Sequence, residues 1–581
     1  MTNFENLQEQ LYERLRLTNS VSIVNESDKQ VLGYEKNLPL WKVSIEVFAK
    51  ERILEFEVIV QFKDDFPVSL PKIFLQKSQY EPIKYLPHVE SNLNICLFDQ
   101  ENIKQDIDRP FEILKTSLNQ AAKILGEGID KKNDNDFLDE IVAYWNLEYD
   151  KNDRISVGYT GSEIQNIQIG SVPAYWIEPS YTNVNVLLLP ENEKNKKLLK
   201  FFKEKGHKID QIDAFYLGEV FGLKPPFFFK NLEFHEFIRS QFTNIFKDFK
   251  NFFNKGNNRK LVVFSMCVNN TLVLFAFFFY PFPLKLNGWR NQSLKPISLV
   301  TQVKPNEPVN RLSFQAFEQN RLLMRTDGVK YNDHDVKITV IGLGSIGSHL
   351  IEYLSEMAIS TYHLVDPEDL TLENVNRHLL SYYDVGYSKV DGISLYLQSR
   401  NPFITCKTSK SSIIELIKRN HECFNSDVIF CVVGKDAVED FILKYVADRR
   451  ICHPLVIMWI EPFLIGGHLL YVLPGTQLKM RDLEIDGFYK YNIISSNTYN
   501  DRNNDLLLKE AGCQGSYIPY SKLAIRQYFS SILPFLKTII RVPPIQNTVV
   551  TYVGDLDDAN HRGFSLSPLA TESFKLIMNP L

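Results

Sequence analysis

At 581 residues the chain is too long for one hydrophobic core, so we expect three or four domains. A content of 44% hydrophobic and 23% charged residues is typical of a soluble globular protein, and the net charge of −5 argues against a nucleic-acid binder. The first ten residues lack the apolar segment of a signal peptide, and the seven cysteines form no CxxC pair. We therefore expect a reducing, cytoplasmic location. The most hydrophobic stretch, 261–283, is interrupted by Asn269 and Asn270 and predicts a hairpin, not a membrane span.

Residues 1–150 combine a helix, several strands and a cysteine loop. Leucines at helical spacing predict an amphipathic helix over the first twenty residues. Strand-like runs follow at 41–48, 53–62 and 72–75. A proline-rich crossing at 65–71 is extended because proline excludes helix, and a helical stretch that includes 137–145 closes the segment.

This order of elements resembles the ubiquitin-conjugating fold. In that family a histidine–proline–asparagine triplet precedes the catalytic cysteine at a fixed interval. Here the interval holds Leu86, Pro87 and His88, and Cys96 stands at the place of the cysteine. The resemblance implies a thioester on Cys96, with His88 at the position of the asparagine, whose duty is to steady an oxyanion. The alternative for Cys96 is a small buried hydrophobic residue, the common state of isolated cysteines.

The middle of the chain carries no motif that indicates chemistry. We predict a linker at 151–160 and, over 161–325, strands and helices without a glycine loop. Arg321 and Arg325 lie on a helical stretch at its end.

A nucleotide-binding pattern begins at residue 337. A strand at 337–341 runs into a G-x-G-x-x-G loop, a helix, and a second strand at 361–365 that ends in Asp366. The glycines are Gly342, Gly344 and Gly347. They serve a tight turn, the approach of a phosphate and the packing of the helix on the strand, and the helix N-terminus favours an anion.

Polar residues beyond Asp366 decide between nucleotide chemistries. They are Asn374, Arg377, Lys389 and Asp436. An NAD-linked oxidoreductase needs a hydride pocket and has no use for this set, whereas adenylation of a carboxylate needs cations and a magnesium ligand. The set resembles the ThiF/MoeB and ubiquitin-activating family. That resemblance implies ATP and Mg²⁺, with Asp366 on the ribose, Asn374, Arg377 and Lys389 on the phosphates and transition state, and Asp436 on magnesium.

The same resemblance bears on the middle of the chain. Ubiquitin-activating enzymes pair an active adenylation domain with a degenerate copy, so residues 161–325 are predicted to be an inactive adenylation-like domain. In dimeric adenylating enzymes an arginine from a helix such as the one at 317–325 enters the partner's ATP site. The resemblance therefore implies a homodimer, with Arg321 or Arg325 in that role; the alternative for either is an exposed helix residue.

A second cysteine follows the nucleotide half. Residues 476–510 are predicted to be a mobile crossing loop that delivers Cys513, which lies between Gly512 and Gly515 and ahead of a helix from about Ser521. Glycine neighbours make the thiol accessible, and the helix dipole favours its thiolate. Cys431 and Cys452 lie in or beside apolar runs and are predicted to be core residues. Residues 542–581 contain no recognisable motif.

The fold class is therefore α/β multidomain, with a conjugating-like domain at 1–150 and an active adenylation domain at 326–581. The first hypothesis is a fused enzyme that adenylates a protein's C-terminal carboxylate, forms thioesters at Cys513 and then Cys96, and modifies a lysine of an acceptor protein. The domain order resembles the ubiquitin-transferase-like component of bacterial CBASS antiphage operons, which implies a cGAS/DncV-like nucleotidyltransferase as substrate. The alternative is a sulfur-carrier adenylyltransferase in which residues 1–150 are a non-catalytic binding module.

Overall fold

The structure is a computed structural model of the chain. It describes residues 3–24, 40–90, 92–98, 103–134, 136–139, 141–146, 157–223, 229–256, 258–268, 271–282, 295–318, 321–322, 336–357, 359–419, 424–501, 506–509 and 516–581. The chain divides into two compact units, Met1–Glu318 and Gln319–Leu581. The first unit contains both the predicted conjugating-like domain and the middle region.

The N-terminal part of unit 1 is an antiparallel four-stranded sheet with a long helix on it. Its strands are β1 (Val21–Ile23), β2 (Leu40–Ala49), β3 (Arg52–Gln61) and β4 (Lys72–Leu75), and its helices are α1 (Asn3–Leu15), α2 (Lys77–Tyr80) and α3 (Pro110–Ile129). The predicted strands are thus confirmed. Gly126 lets α3 approach β2 closely, since a Cβ there would lie 2.6 Å from the Phe48 carbonyl oxygen. Leu11 and Leu15 are buried, but Leu17 lies beyond the helix end and is exposed.

The middle part of unit 1 is a mixed sheet that closes on itself. Its strands are β5 (Val157–Thr160), β6 (Gly170–Ser171), β7 (Ala174–Tyr181), β8 (Val184–Leu188), β9 (Lys208–Glu219), β10 (Lys260–Val268), β11 (Thr271–Phe279) and β12 (Asn310–Ala316). The order is β10-β11-β12-β5-β8-β7-β9-β6, and β10 pairs again with β9. The predicted hairpin is the antiparallel pair β10–β11. The helices are α4 (Asp136–Asp139), α5 (Ile141–Asn146), α6 (Glu193–Glu204), α7 (Asn231–Gln241), α8 (Phe246–Asn254) and α9 (Pro296–Ser298).

Contacts cross two of the predicted domain boundaries, which stay predictions. Trp145, assigned to the first domain, is fully buried in the phenylalanine core of the middle sheet, and its Nε1 donates to the Leu312 carbonyl at 3.0 Å. The last residues of the predicted linker form β5, which pairs with β12 and β8; residues 151–156 lie outside the described part. The inactive adenylation copy stays a prediction. The closed sheet, with its several antiparallel pairs, differs from the strand order of unit 2 and lends that prediction no support.

Unit 2 is a doubly wound sheet extended by an antiparallel edge. The order is β15-β14-β13-β16-β17-β18-β23-β24; the first five strands are parallel and the last three antiparallel. These are β13 (Val336–Ile341), β14 (Ile359–Val365), β15 (Thr405–Ser409), β16 (Val428–Cys431), β17 (Leu455–Ile460), β18 (Gly466–Val472), β23 (Thr548–Val553) and β24 (Leu576–Pro580). Short two-residue strands lie between β18 and β23: β19 (Glu484–Ile485), β20 (Phe488–Tyr489), β21 (Leu508–Lys509) and β22 (Ser516–Tyr517).

Helices cover both faces of this sheet. They are α10 (Ser345–Ser355), α11 (Leu372–Val375), α12 (Lys389–Arg400), α13 (Ile413–Lys418), α14 (Asp436–Ala447), α15 (Ser496–Asp501), α16 (Lys522–Arg541) and α17 (Leu556–His561). Ser521 caps α16 by accepting from the Ala524 N–H, as the predicted helix start requires. No helix in the described stretches is both long and apolar enough to cross a membrane.

The prediction of a mobile loop over 476–510 is wrong for its described residues. Met480 and Leu483 are buried against α14, and Ile493 and Ile494 are fully buried. The Glu461 carboxylate accepts the backbone N–H groups of Ile493 and Ile494 at 2.7 and 2.8 Å, which fixes the segment's path. Movement of the segment would leave this buried carboxylate without its two hydrogen bonds, which is unfavourable. The C-terminal tail, in which no motif is recognisable, supplies β23 and β24.

Candidate active site

The three glycines of the loop after β13 have different surroundings. Gly342 has φ +88°, and a Cβ there would lie 2.6 Å from the Val432 carbonyl oxygen. A Cβ on Gly347 would lie 2.0 Å from the Gly342 carbonyl oxygen. Gly344, in contrast, has no neighbouring atom within 4 Å of the position that a Cβ would take. The first and third glycines are therefore required by packing, while the second leaves space for a ligand, as a phosphate-binding loop requires.

Asp366 fixes this loop from the end of β14. Its Oδ2 accepts the Leu343 N–H at 2.6 Å, and its Oδ1 accepts the Glu368 N–H at 2.8 Å. The residue is buried, and burial raises the pKa of its carboxyl group despite these two hydrogen bonds. The carboxylate predicted to hold a ribose thus also fixes the loop that would face the phosphates.

The loop opens into a cavity at the carboxyl ends of β13, β14 and β16. Its polar lining includes Gly344, Asp366, Glu368 and Lys389. Lys389 begins α12, and its buried side chain donates to Glu368 Oε2 at 2.6 Å. This contact is the main cause that holds the pKa of Glu368 below its usual value. The apolar lining consists of Ile341, Val365, Pro367, Ile413, Ile414, Val432, Val433 and Val438.

These residues fit an ATP molecule. The apolar wall suits a base, the Asp366 carboxylate a ribose hydroxyl, and the open face of Gly344 with the Lys389 ammonium a phosphate. The position also agrees with the general rule that ligands of open α/β sheets bind at the carboxyl ends of the strands.

Three other predicted residues lie outside the lining of this cavity. Asn374 accepts from Thr371 Oγ1 at 3.2 Å. Arg377 donates to the Ile518 carbonyl at 3.3 Å and lies 5.0 Å from the Tyr520 ring centroid, so it contacts the segment that follows Cys513. Asp436, the exposed first residue of α14, accepts from the Tyr489 hydroxyl at 2.9 Å. Within the described residues no group of three or more metal-binding side chains occurs, and the magnesium role of Asp436 stays a prediction.

Sequence reasoning missed two buried groups beside these residues. Glu439 lies one helical turn beyond Asp436, and burial raises the pKa of its carboxyl group to about 7. His378, next to Arg377, donates from Nε2 to the Leu343 carbonyl at 2.7 Å and accepts the Leu380 N–H on Nδ1 at 3.0 Å. These bonds define the neutral tautomer, and burial lowers the pKa of this imidazole to about 4. In the sequence, only the position of His378 next to Arg377 points to it.

The second predicted centre lies in the N-terminal part of unit 1. Cys96 is exposed and lines a groove with Leu70, Glu90 and Ile103. Its N–H donates to the His88 carbonyl at 2.7 Å, so the two candidate residues are neighbours across a hairpin. An exposed thiol is not the buried hydrophobic residue of the alternative interpretation.

The remaining candidates are two arginines and three cysteines, of which the structure describes three. Cys513 and Arg325 lie outside the described residues, and Arg321 is exposed. Cys431 is buried as predicted, and burial raises the pKa of its thiol well above the usual value. Cys452 is exposed, which contradicts its assignment to the core; it lies in the turn after α14, beyond the apolar face of that helix.

Methyl groups at Gly344 and Gly347 should affect different properties, the binding of ATP and the stability of unit 2 respectively. We expect Gly347→Ala to lower the thermal unfolding midpoint of unit 2 by several degrees, because its methyl group overlaps a backbone oxygen and overpacking costs roughly 1–3 kcal/mol. Gly344→Ala should unfold like the unaltered protein but bind ATP at least about tenfold more weakly by isothermal titration calorimetry, since a methyl group takes the place of a phosphate oxygen. Equal ATP affinity of Gly344→Ala and the unaltered protein would exclude this loop as the phosphate site.

His378 should make unit 2 sensitive to acid. The pKa of the His378 imidazole is lowered from 6.5 to about 4. The contribution of the neutral imidazole to the free energy of unfolding is therefore fully present above pH 6.5, and it is lost as the pH falls toward 4. Between pH 7 and 4.5 this amounts to roughly 2–3 kcal/mol. His378→Gln keeps a donor for Leu343 and an acceptor for Leu380 but has no proton to gain. Urea unfolding at both pH values should show a smaller loss for the variant, and an identical loss would contradict this account.

Two family models match separate parts of the chain. Residues 25–153 match Prokaryotic E2 family B, and residues 321–466 match the ThiF family. Among curated relatives, "Ubiquitin-like modifier-activating enzyme 5" of Bombyx mori is 24% identical over 189 residues, which cover 30% of this chain and 45% of the relative. The protein of the same name from Arabidopsis thaliana is 24% identical over 206 residues, covering 33% and 46%. The chain thus spans less than half the length of these two relatives.

Solved structures show weaker similarity. E. coli MccB with MccA-N7isoASN is 16% identical with a TM-score of 0.28, over 42% of this chain and 64% of that chain. E. coli TcdA, a tRNA N6-threonylcarbamoyladenosine dehydratase in complex with AMP, is 19% identical with a TM-score of 0.23, over 26% and 63%. Scores this low carry no argument about this chain. From the family matches and the fold, the chain combines an E2-like N-terminal region with a ThiF-type, Rossmann-like region.

Proposed function

We propose that the chain activates the C-terminal carboxylate of a protein with ATP and transfers the acyl group through Cys513 and Cys96 to a lysine. The observation that carries the proposal is the cavity at the carboxyl ends of the parallel strands, where the open face of Gly344 meets Asp366 and the buried Lys389. The match of residues 321–466 to the ThiF family supports the adenylation half. The match of residues 25–153 to an E2 family supports the transfer half.

Adenylation is the first step of the proposed reaction. A carboxylate oxygen of the protein substrate attacks the α-phosphorus of ATP, the bond to the bridging oxygen breaks, and pyrophosphate leaves. Lys389 would offset the charge that develops on the phosphates, and Asp436 would hold a magnesium ion that supplies the same stabilisation. Arg377 contacts Ile518 in this structure, and we assign it a phosphate role once ATP and the substrate are bound.

Two thioester transfers would follow. The Cys513 thiolate attacks the carbonyl carbon of the acyl-adenylate and AMP leaves; the Cys96 thiolate then attacks that thioester and Cys513 is released. A lysine amine of the acceptor protein takes the acyl group from Cys96 and forms an amide. Exposure of Cys96 in a groove supports its part in the transfer, because both the incoming thioester and the acceptor amine must reach its sulfur.

The proposal also includes a substrate and an oligomeric state. By the CBASS resemblance, the carboxylate belongs to a cGAS/DncV-like nucleotidyltransferase that the enzyme primes in antiphage defence. We also propose a homodimer in which Arg321 or Arg325 of one chain completes the ATP site of the other. The exposure of Arg321 is compatible with this role.

Lys389 gives the most direct test of the adenylation half. We expect Lys389→Ala to reduce ATP–pyrophosphate exchange by roughly 10²–10³-fold, because the loss of one interaction with developing charge raises a barrier by about 3–4 kcal/mol. Exchange is measured with purified full chain, Mg²⁺ and purified proteins from the neighbouring genes as carboxylate donors.

Lys410 provides a matched control for this variant. It pairs with Asp369 at 2.6 Å, the same distance as between Lys389 and Glu368, but it does not line the cavity. Lys410→Ala should therefore exchange like the unaltered protein. If Lys389→Ala retains normal exchange, or if both variants lose it equally, the assignment of this cavity to adenylation is wrong.

A further inference from the structure

We propose that Lys435 binds the outer phosphates of ATP, the two that leave as pyrophosphate, from the turn between β16 and α14. This inference rests on the proposed adenylation and adds a second cation to Lys389. No motif in the sequence indicates Lys435, because the family resemblance assigns a role to its neighbour Asp436 instead.

The backbone of Lys435 is held at the edge of the cavity. Val432, the first residue after β16, donates to the Ile341 carbonyl at 2.8 Å, which ties this turn to the strand that precedes the glycine loop. The Lys435 carbonyl accepts the N–H groups of Val438 and Glu439 at 2.9 and 3.1 Å, so it starts the hydrogen bonds of α14. The turn is therefore anchored on both sides, and Lys435 is one of the residues that line the cavity.

The charged side chains of the cavity lining show why a second cation is needed. Among the described residues that line it, Asp366 and Glu368 are the carboxylates, and Lys389 and Lys435 are the ammonium groups. Lys389 contacts Glu368 at 2.6 Å, so its charge is already offset before ATP binds. Without Lys435 the lining would carry an excess of negative charge, which would repel a triphosphate.

The charge of Lys435 acts on the interior of this cavity. Lys389 chiefly, and Lys435 in addition, hold the pKa of the Glu368 carboxyl group below its usual value. Lys435 forms no ion pair with any residue that the structure describes, so its charge is available to a ligand. The Asp436 side chain, in contrast, accepts from the Tyr489 hydroxyl at 2.9 Å and lies outside the lining.

Exposure separates the two lysines along the path of the phosphates. The Lys389 side chain is only 3% exposed, whereas Lys435 is exposed. Pyrophosphate must leave through the open side of the cavity, so the outer phosphates of bound ATP face that side. Gly434, with φ +60° and no atom within 4 Å of the position of a Cβ, leaves room beside Lys435. The buried lysine therefore suits the phosphate next to the ribose, and the exposed lysine suits the outer two.

Lys435 is an unfavourable residue for its position in α14. It occupies the N-cap, where Ser, Thr, Asp and Asn are preferred because a side-chain oxygen accepts an unpaired N–H, and its side chain makes no such bond. Its positive charge also lies at the positive end of the helix dipole. A bound phosphate would offset this second disadvantage, because an anion there attracts both the helix end and the lysine. Residues that break a local rule in this way are expected at functional sites.

Lys435 would take part in adenylation by its charge alone. As the substrate carboxylate bonds to the α-phosphorus, the bond to the bridging oxygen breaks, and the electron pair of that bond passes to pyrophosphate. Lys435 offsets the charge that develops there and keeps its proton throughout. The atoms and electrons of the proposed step are therefore unchanged, and no further reagent is needed.

A simpler role for Lys435 is to stabilise the fold through its attraction to Glu368. The two roles differ in what Lys435→Ser does, since this change removes the charge and supplies an oxygen that can cap α14. A structural role predicts a lower thermal unfolding midpoint and unchanged binding of ATP. The proposed role predicts weaker binding of ATP and an unfolding midpoint that is equal or higher.

The test measures binding of ATP and of AMP to the full chain by isothermal titration calorimetry, with Mg²⁺ present and no protein substrate. Lys435→Ser is compared with Lys435→Arg, which keeps the charge. The matched control is Lys444→Gln, which removes an exposed lysine from the same helix outside the described cavity lining. Thermal unfolding of each variant is followed without nucleotide.

We expect Lys435→Ser to bind ATP at least about tenfold more weakly than the unaltered protein, because a hydrogen bond between charged groups is lost. Its affinity for AMP, which has no outer phosphates, should be unchanged, and it should unfold at no lower a temperature. Lys435→Arg should recover most of the lost affinity for ATP, because it restores the positive charge. Lys444→Gln should bind both nucleotides like the unaltered protein.

The outcomes separate the role of Lys435 from the function on which it rests. If the unaltered protein binds ATP and Lys435→Ser binds it equally well, the proposed role is refuted while the cavity keeps its assignment. Equal losses of ATP and AMP affinity in Lys435→Ser, or a loss that Lys435→Arg does not recover, would also refute a contact with the outer phosphates. If the unaltered protein itself binds no ATP, the proposed adenylation is refuted.

Discussion

The nucleotide half of the molecule depends on how the Leu343 peptide is held. The N–H of Leu343 donates to Asp366, and its carbonyl accepts from His378. Both polar groups of one residue in the glycine loop are thus occupied by buried side chains, one from the end of β14 and one from the turn after α11. Unpaired buried backbone groups are costly, so this arrangement fixes the loop and directs the open face of Gly344 toward the cavity.

The same turn links the loop to the segment that would carry the second cysteine. The carbonyl of His378 accepts from Lys522 at the start of α16, and Arg377 contacts Ile518. A change of position in residues 516–522 would therefore alter the contacts of two adjacent residues, one of which holds the glycine loop. Under the proposed function, this connection would join the loop to the segment that follows Cys513.

How far the sequence predicts the fold depends on the range of the interactions. The strand, loop, helix and second strand that end in Asp366 were predicted because periodicity and glycine spacing are local signals. The sequence does not predict the packing of Trp145 in the middle sheet, because its partners Phe264 and Phe275 lie more than a hundred residues away in the chain. The polar composition of residues 476–510 predicts a mobile loop, although the carboxylate of Glu461 binds the backbone of Ile493 and Ile494 within it.

The site shows the same division. The glycines and Asp366 are predicted from the local strand–loop–helix–strand pattern, and Lys389 from the family resemblance. All of them line or shape the cavity. The sequence does not indicate His378 and Glu439, because their properties come from burial and from contacts across the fold, and a buried histidine or glutamate has no sequence signature. The role of Cys96 was supported by its exposure, which only a folded hairpin defines.

The measurement that tests the account most directly maps thioesters at individual cysteines in the full chain. The chain is incubated with ATP, Mg²⁺ and purified proteins from neighbouring genes, and is then digested under non-reducing, acidic conditions for mass analysis. The account predicts acyl groups on Cys513 and Cys96, none on Cys96 when Cys513 is replaced by alanine, and accumulation on Cys513 when Cys96 is replaced. Lysine conjugates formed at a normal rate by Cys96→Ala would contradict it and would make the N-terminal region a binding module.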